Sequence, residues 1–499
     1  WIRRLVPGKS LENFFNDYII DGERVHDDNI SSNITQSIQE IKSVNNNFQT
    51  KITKEEIRVI STYNVFIKKI SELLDTCSSN TEKRNKIIEI NKRIKNLVIV
   101  EMNVLDENVA YEIFESTNAR GLDLSIADLL KNYIFRSIDQ NHETFLQAES
   151  YWNEMVENID SSGDELKKFI RYYWLSKYQF LQYKPLFKGI KEYTDGSHET
   201  ITIPLMDLLK DLKNSSKWYK GLSVENSEYL SSLLDSYNHK DRILKSIKHL
   251  RTMGISQANV FLMSLLRNKH HVSFYNPVTV IKAIEHFSFM HHAVCKQRAN
   301  TVERMYSNYA RELEDACKTP SNRRQSQISR VFDRLKAKLN SMKPSEEFFY
   351  DQFKEIEYSE SGSNRLIRYI LTKYSEFLSN RDQQEIDTDF EAMTIEHILP
   401  KDSEEYWNIP NDRYSNSRNK LGNLTILTQT DNGSAGNMLL ENKIATYESS
   451  SLHINRKLQE EIAQICGLIP DSSLWDENVM NERLETISSN AYIEVWKIS

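Results

Sequence analysis

Apolar residues in this chain occur in short runs separated by charged and polar positions. One of the longest uninterrupted apolar runs is Leu97-Val98-Ile99-Val100, which ends at Glu101. Four residues suit a buried strand or helix segment and are far fewer than the roughly 20 that span a bilayer. Leucine and isoleucine are interspersed with lysine and glutamate over many stretches, and glycine (13) and proline (9) are scarce in 499 residues. This pattern predicts a mainly α protein with no membrane partner.

Two segments near the end of the chain depart from the helical pattern. Met393 to Ile398 is typical of a short strand that Pro400 ends, and Leu424 to Leu427 is typical of a second strand. The polar segment from Asp431 leads into a predicted helix that runs to about Tyr447. Two strands and a helix can hold one divalent ion between a strand end and the helix.

The length of the chain predicts more than one domain. A chain of 499 residues is too long for one ordinary core, so two or three domains are expected. A first section runs to about residue 140, and a helical middle section rich in aromatic residues follows from about 141 to 345. A last section, from about 346 to 499, contains both predicted strands and closes with two helices.

The end of the first section has the pattern of a turn followed by a helix. Asn118 and Gly121 suit a tight turn. Ser125 and Asp128 resemble a capping box, with Asp in place of the usual Glu, and predict a helix that runs to about Ser137. Two interpretations of this corner stay open, namely packing between two helices and a loop that contacts a ligand.

Composition and charge limit the class of protein. Hydrophobic residues (39%) and charged residues (27%) occur in proportions that are typical of a soluble globular protein. The four cysteines form no CxxC pair, which suits a reducing cytoplasm and argues against a structural zinc site. No N-terminal apolar stretch resembles a signal peptide, so we expect a cytoplasmic protein. The net charge of −7 does not favour nucleic-acid binding, but a local basic surface is enough for phosphate contacts.

Histidine pairs and a basic stretch in the middle section each allow two interpretations. His270-His271 and His291-His292 are candidate metal ligands, but without an acidic or cysteine partner at a ligand-like spacing they are more typical of exposed helix ends. The basic stretch is either a solvated helix face or a DNA contact. It consists of Arg323, Arg324, Arg330, Arg334, Lys336 and Lys338.

The most specific pattern surrounds the two predicted strands. An acidic residue and a histidine are adjacent in Thr394-Ile395-Glu396-His397-Ile398-Leu399-Pro400. Asn423 lies 26 positions after His397, and Asn432 lies nine positions after Asn423. This order and spacing predict a one-metal phosphodiesterase site.

Hydrolysis of a phosphodiester needs an activated water, stabilised charge on phosphorus and help for the departing 3′ oxygen. A neutral histidine, with an ordinary pKa of about 6.5, can take the water proton, and His397 is the candidate. Magnesium or manganese prefers oxygen ligands, for which Glu396 and Asn432 are the candidates. Adjacent strand residues point to opposite faces, so Glu396 and His397 share a site only where the strand ends or bends, as Pro400 suggests. Asn423 is better placed to orient His397 or brace the loop than to bind metal.

These residues resemble a known family. The pattern is similar to that of the HNH, or ββα-metal, nucleases, although many of those have Asp where this chain has Glu396. The resemblance implies catalytic roles for His397 and Asn423 and a Mg²⁺ or Mn²⁺ site at Glu396 and Asn432. A longer string resembles the nuclease domain of GmrSD-type, modification-dependent restriction enzymes, which implies substrate contacts by two further residues. The string comprises residues 395–400 and 421–424, with Asn432, Asn437, Lys443, Tyr447, Trp475, Arg483 and Trp496, and the implied substrate contacts are Asn437 and Lys443.

The first section resembles the companion GmrS-type domain in part. Phe114 to Asn132 is similar to the end of that domain, whereas Asp21-Gly22-Glu23-Arg24 only partly matches its nucleotide-linked Asp-Gly-Gln-Gln-Arg motif. The chain starts at Trp1 rather than methionine, so we expect the true motif to precede it. An NTP is therefore implied as a cofactor only if that preceding part is present.

The resemblance implies an HNH endonuclease that cuts foreign, modified DNA in bacterial anti-phage restriction, with a homo-oligomer as one expected state. One site cuts one strand, so nicking is the expected elementary act. The alternative is a nucleic-acid or nucleotide-sensing module with an inactive nuclease domain. A nuclease that acts on RNA is a further alternative that the motif does not distinguish.

Overall fold

The protein is built almost entirely from helices. A computed structural model describes residues 54–98, 126–138, 142–159, 163–223, 227–235, 237–272, 277–298, 300–381, 389–466 and 472–498. Over these ranges the only sheet is one pair of antiparallel strands in the C-terminal part. This confirms the predicted mainly α fold with a C-terminal α+β part. Each helix in these ranges is too short or too polar to traverse a bilayer.

The chain divides into two compact units, Trp1–Asp123 and Leu124–Ser499. The described part of the first unit consists of helices α1 (Lys54–Asp75) and α2 (Asn80–Lys95). The Ser79 hydroxyl accepts a hydrogen bond from the backbone N–H of Glu82, whose carboxylate accepts one from the backbone of Ser78. These bonds satisfy N–H groups that the start of a helix leaves without partners.

Two of the predicted features lie outside the described residues: the turn at Asn118 and Gly121, and the partial motif from Asp21 to Arg24. The predicted helix that follows the turn is confirmed as α3 (Ile126–Ser137), with Asp128 in its first turn. The predicted domain boundaries near residues 140 and 345 stay predictions.

Helices of the second unit up to residue 342 surround one large apolar core. Fully buried aromatic residues such as Trp174 and Phe261 pack inside it, which agrees with the aromatic-rich pattern of the middle section. The helices after α3 are α4 (His142–Asn158), α5 (Gly163–Leu175), α6 (Tyr183–Thr194), α7 (Leu205–Ser223), α8 (Ser227–Leu233), α9 (Lys240–Thr252), α10 (Asn259–Arg267), α11 (Lys269–Val272), α12 (Pro277–Ser288), α13 (Asn300–Lys318) and α14 (Ser321–Met342).

The histidine pairs occupy two different environments. His270 and His271 in α11 are exposed, as predicted for a helix end. The prediction is wrong for His291, which is buried in a π-helical turn (Phe289–Val294) against Phe287. Burial lowers the pKa of His291 to about 4, so the ring is a neutral part of the core.

The basic stretch lies on α14, one face of which packs against the core through Ile328 and Leu335. Arg330 and Lys338 are exposed on the helix, and Arg334 forms an ion pair with Glu312 at 2.8 Å. This is the arrangement of a solvated helix face, and contact with DNA stays a prediction.

The C-terminal part adds a short hairpin and further helices to the second unit. Its strands are β1 (Thr394–His397) and β2 (Leu424–Leu427), which confirms both predicted strands. The helices in this part are α15 (Glu346–Lys354), α16 (Arg365–Arg381), α17 (Glu404–Trp407), α18 (Ser415–Arg418), α19 (Gln429–Ala435), α20 (Leu440–Ser449), α21 (His453–Arg456), α22 (Leu458–Cys466) and α23 (Glu477–Asn490).

The hairpin lies between two apolar clusters. Strand β2 is buried along its whole length, and its side chains alternate between the two sides. Leu424 and Ile426 belong to one cluster, together with Leu484 of α23. Leu427 belongs to the other, together with Trp475. This packing fixes the register of the strands. A shift by one residue would place the hydroxyl group of Thr425 inside an apolar cluster.

The segment from Asp431 that was predicted to lead into one helix ending near Tyr447 contains parts of two helices, α19 and α20. The break falls at Gly436, whose φ of 48° and ψ of −141° suit glycine and are rare for residues with a side chain. The chain therefore turns at Gly436, and the residues before and after the turn approach the hairpin from different helices.

Gly422 allows α23 to approach the hairpin closely. The glycine lies in a 3₁₀ turn (Leu421–Asn423) directly before β2. A Cβ atom at this position would lie 2.0 Å from the backbone oxygen of Met480. A backbone atom cannot rotate away, so a side chain here would force the helix and the turn apart.

Replacement of Gly422 with alanine is therefore expected to lower the free energy of unfolding by about 3 kcal/mol or more, since overpacking against backbone is costly. Thermal and urea unfolding would measure the loss. Gly433→Ala is the matched control, because a Cβ atom there would meet no described neighbour within 4 Å and alanine favours helix α19. Equal stability of the two variants would contradict the prediction.

Candidate active site

Strand β1 of the hairpin carries Glu396 and His397, and the turn before β2 carries Asn423. Strand β1 pairs antiparallel with β2, with Glu396 opposite Thr425 and His397 opposite Leu424. The backbone N–H of Ile398 donates to the oxygen of Asn423 at 2.9 Å, which extends the pairing past the last residue of β1. Helix α19, which carries Asn432, begins directly after β2.

Asn423 holds the loop that follows β1. Its side chain is fully buried, and its Oδ1 accepts hydrogen bonds from the backbone N–H of Leu399 (2.9 Å) and from Nε1 of Trp475 (2.8 Å). Its Nδ2 donates to the backbone oxygens of Leu399 (3.0 Å) and Arg418 (2.8 Å). All its hydrogen-bonding groups are thus used within the protein. These contacts brace the loop after β1, and a catalytic role for Asn423 stays a prediction.

Arg418 supports the same loop and was not identified from the sequence. Its buried guanidinium donates to the backbone oxygens of Pro400 (2.7 Å) and Lys401 (2.9 Å). It also donates to the oxygens of Pro410 and Arg413. No carboxylate forms an ion pair with it among the described residues. The charge is instead solvated by backbone carbonyls, which fixes the segment after His397 without any regular secondary structure.

His397 is held in one tautomer. It is 8% exposed, and its Nε2 lies 3.0 Å from Oδ1 of Asn419. An amide oxygen only accepts hydrogen bonds, so Nε2 carries the proton and the lone pair of the neutral ring is on Nδ1. No described residue donates a hydrogen bond to Nδ1. The ring therefore presents a basic nitrogen in a fixed orientation.

The surroundings of His397 keep it neutral. Burial lowers its pKa to about 4, although the hydrogen bond to Asn419 acts in the opposite direction. The positive charges of Lys401, Lys443 and Arg418 also lower this pKa. At neutral pH the ring is therefore uncharged.

Glu396 forms a buried ion pair on the other face of β1. Its Oε1 lies 2.6 Å from Nζ of Lys443 and 3.4 Å from the hydroxyl of Tyr447. Burial raises the pKa of the Glu396 carboxyl, and the ion pair with Lys443 only partly offsets this. Burial likewise lowers the pKa of Lys443. Both shifts show that desolvation weighs more than the attraction within the pair.

The structure does not fit the expectation that Lys443 contacts the substrate. Its side chain is 0% exposed. Its Nζ donates to Glu396 and to the backbone oxygens of His397 (3.1 Å) and Ile398 (3.2 Å), which uses all three hydrogens of the ammonium group. Lys443 is therefore a positioning residue in this arrangement. Asn437, in contrast, is exposed on the turn after α19, where a substrate can reach it.

Two oxygens are available for a divalent ion. Oδ1 of Asn432 is buried and has no hydrogen-bond partner among the described residues. Oε2 of Glu396 accepts no hydrogen bond from a described residue, whereas Oε1 accepts hydrogen bonds from Lys443 and Tyr447. No cluster of three or more His, Cys, Asp or Glu side chains able to hold a metal occurs within the described ranges. Both atoms are oxygen donors, the type of ligand that magnesium prefers.

Helix α23 holds the hairpin in place through Arg483. Arg483 is 0% exposed and donates from Nη1 to the backbone oxygens of Gly422 and Leu424, both at 2.9 Å. Its Nε donates to Glu461 at 3.0 Å. Together with Trp475, this arginine ties the start of β2 to the helices that follow it in the chain.

The segment that contains all of these residues matches a known family. Residues 343–489 match the model of the C-terminal domain of GmrSD restriction endonucleases. This segment is similar to a GmrSD-type C-terminal domain. The match covers less than a third of the chain and includes the hairpin, Asn432, Lys443 and Arg483. It supports a restriction endonuclease role with DNA as the partner. No curated protein matches the chain.

Sequence reasoning missed Asn419 and Arg418, although both lie inside the GmrSD-type domain. Neither residue belongs to a strand or a long helix with a recognisable pattern. Asn419 lies 22 positions after His397 in a segment of turns. The one available signal is that both residues directly precede the Leu421–Asn423 turn, where side chains can reach back to the loop after β1.

Proposed function

We propose that the chain is a metal-dependent DNA endonuclease of the HNH type that nicks foreign, modified DNA in bacterial anti-phage restriction. The observation that carries the proposal is the arrangement of His397. A GmrSD-type domain holds this ring neutral, in one tautomer and at the end of a hairpin whose loop is braced by Asn423.

His397 acts as the general base in this proposal. Its Nδ1 takes a proton from the water that attacks phosphorus, while the bond from Nε2 to Asn419 holds the ring in place and stabilises the charge it gains. The braced loop keeps the ring from turning away from the water. Such a base contributes about 10²- to 10⁴-fold to the rate.

Glu396 and Asn432 would hold the divalent ion. Oε2 of Glu396 and Oδ1 of Asn432 are the oxygens free to do so. A Mg²⁺ or Mn²⁺ ion held by these oxygens would supply Lewis-acid stabilisation of the charge on the phosphate and on the departing 3′ oxygen. Lys443 keeps the Glu396 side chain in a fixed rotamer through its ion pair and thereby orients the second oxygen.

The proposal is tested with supercoiled plasmid, modified and unmodified, incubated with magnesium or manganese or with chelator. Open circular product that forms with metal and not with chelator is the expected result. Preference for the modified plasmid would support the restriction role. Tight DNA binding without metal-dependent cleavage would contradict the proposal and support the sensing module instead.

Asn432→Ala is expected to raise the magnesium concentration at half-maximal nicking by about tenfold or more, because it removes one of two protein oxygens, and tenfold corresponds to about 1.4 kcal/mol. The measurement is a magnesium titration of the nicking rate. Asn437→Ala is the matched control, since Asn437 is exposed and predicted to contact the substrate. It should raise the KM for DNA and leave the magnesium dependence unchanged. Identical dependence of the nicking rate on magnesium concentration in both variants would contradict the assignment of Asn432 as a metal ligand.

A further inference from the structure

A loop rich in glutamate lies against His397. This acidic loop, residues 355–364, connects α15 to α16. The backbone N–H of Tyr358 donates to the oxygen of Asn419 at 2.8 Å, and Glu357 forms an antiparallel bridge with Lys420. The Tyr358 ring meets the ring of His397 nearly at a right angle, with 4.9 Å between the centroids. The acidic loop therefore forms one wall of the candidate active site.

The acidic loop has a defined shape. Asn364, with a φ of 49°, accepts a hydrogen bond from the backbone N–H of Ser359 at 2.9 Å and donates to the backbone oxygen of Ser359 at 2.7 Å. These bonds close the loop on itself. Its glutamates are thus presented from a compact turn rather than from an extended chain.

Two lysines beside His397 are paired with this loop. Lys401 lies 3.1 Å from Glu360 and 4.2 Å from the centre of the Tyr358 ring. Lys420 lies 2.8 Å from Glu355. Lys401 follows His397 by four positions, and Lys420 is adjacent to Asn419, which bonds to the His397 ring. The two ion pairs therefore lie on segments that hold the base itself.

The lysines differ from the other cations near His397. Lys443 and Arg418 are buried, and their hydrogens are donated to Glu396 and to backbone oxygens. Lys401 and Lys420 keep 39% and 16% of their side chains exposed. They can therefore exchange their partners for a charged group from solution.

The carboxylates of the two pairs are easily displaced. Glu360 is 83% exposed and Glu355 is 75% exposed, so both carboxylates are well hydrated when released. Exposed ion pairs of this kind contribute little, and two of them together change an equilibrium by about 2- to 30-fold. A DNA backbone offers several phosphates at once and releases bound counterions when it is neutralised. The exchange of carboxylate for phosphate is thus favourable.

We propose that Lys401 and Lys420 bind DNA backbone phosphates on either side of His397, and that Glu360 and Glu355 occupy these lysines in the protein without DNA. The acidic loop, which is part of the same chain, then competes with DNA for these two lysines. This inference rests on the proposed function for its choice of DNA as the ligand. It adds a phosphate-binding site and a means by which the protein lowers its own affinity for DNA.

The competition explains how a protein with a net charge of −7 can bind DNA selectively. DNA that binds weakly or transiently does not displace both carboxylates from the lysines. A duplex bound along the hairpin does displace them. The loop therefore raises the threshold for non-specific binding near the base without blocking a correctly seated substrate.

The experiment measures binding of the full chain to a fluorescent duplex oligonucleotide by anisotropy, in chelator so that no cleavage occurs, over a range of salt concentrations. The double variant Lys401→Gln/Lys420→Gln is expected to bind on the order of tenfold more weakly. In a plot of log affinity against log salt concentration, the slope for this variant should be smaller in magnitude by about 1.8, because two phosphate contacts are lost. The double variant Glu355→Gln/Glu360→Gln is expected to bind about 2- to 30-fold more tightly.

Three matched controls accompany these variants. Lys240→Gln and Asp235→Asn break an ion pair of 2.7 Å with similar exposure, 27% and 70%, in the helical body. Glu357→Gln removes an exposed charge of the same loop that forms no ion pair among the described residues. All three controls should bind as the wild type does, apart from a small uniform effect of net charge.

The outcomes separate this inference from the proposed function. Unchanged affinity and salt dependence in the lysine variant, or unchanged affinity in the glutamate variant, would overturn the inference even if the wild type cuts plasmid. Absence of DNA binding by the wild type would overturn it as well. The expected changes in binding by a protein that never cuts would uphold the phosphate site and refute the endonuclease.

Discussion

Replacement of His397 with alanine is expected to abolish metal-dependent nicking, with a loss of about 10²- to 10⁴-fold in rate. The change removes the nitrogen that would accept the water proton. It leaves the hydrogen bonds of Asn423 to Leu399 and Trp475 untouched, so the loop should keep its position. DNA binding in chelator should be nearly unchanged. The measurement is the single-turnover nicking rate at saturating magnesium.

The control for this variant is His453→Ala. His453 is also a buried histidine of the C-terminal part, and its ring contacts Arg456. Loss of a buried ring is thus common to both variants, whereas loss of the base is not. If nicking survives in His397→Ala, or is lost equally in both variants, His397 is not the base.

Replacement of Lys443 with methionine is expected to lower the free energy of unfolding by about 3–5 kcal/mol, because it leaves the Glu396 carboxylate buried without its cation. Methionine fills a similar volume, so a cavity contributes little. The backbone oxygens of His397 and Ile398 also lose a donor. Urea unfolding followed by tryptophan fluorescence would measure the loss, since Trp475 packs in the same apolar cluster as Ile398.

A double-mutant cycle separates the ion pair from the packing. Glu396→Gln removes the charge of the partner, and the double variant Glu396→Gln/Lys443→Met should recover much of the stability lost in Lys443→Met alone. Recovery is expected because a buried ion pair contributes little net stability, while a single buried charge is costly. Additive losses in the double variant would show that the two side chains act independently.

The strands and their polar residues were predictable because their signals are local. Leu424 to Leu427 is a short apolar run between turns, and the observed strand has the same bounds. The acidic residue, the histidine and Asn423 could be placed on or beside the hairpin because its two strands carry local signals, whereas their assignment to one site stays a prediction. The position of Asn432 on the helix after β2 follows from the same reasoning.

The residues that position the site were less predictable because their partners are distant in the sequence. Lys443 bonds to Glu396 across 47 positions, and lysine is so rarely buried that a substrate contact was the natural expectation. Asn419 reaches His397 from a segment of turns, where the sequence shows no periodicity. The pairing of Glu360 with Lys401 likewise depends on tertiary packing that no local pattern encodes.

The bonds that fix the hairpin have a consequence for the timing of protein synthesis. Trp475 reaches Asn423 across 52 positions, and Arg483 reaches Leu424 across 59. Ribosomes add about 5–20 residues per second, so roughly 3–12 s pass between translation of the second strand and translation of the arginine that clamps it. A nascent chain therefore carries the base and the proposed metal ligands before they are held in place.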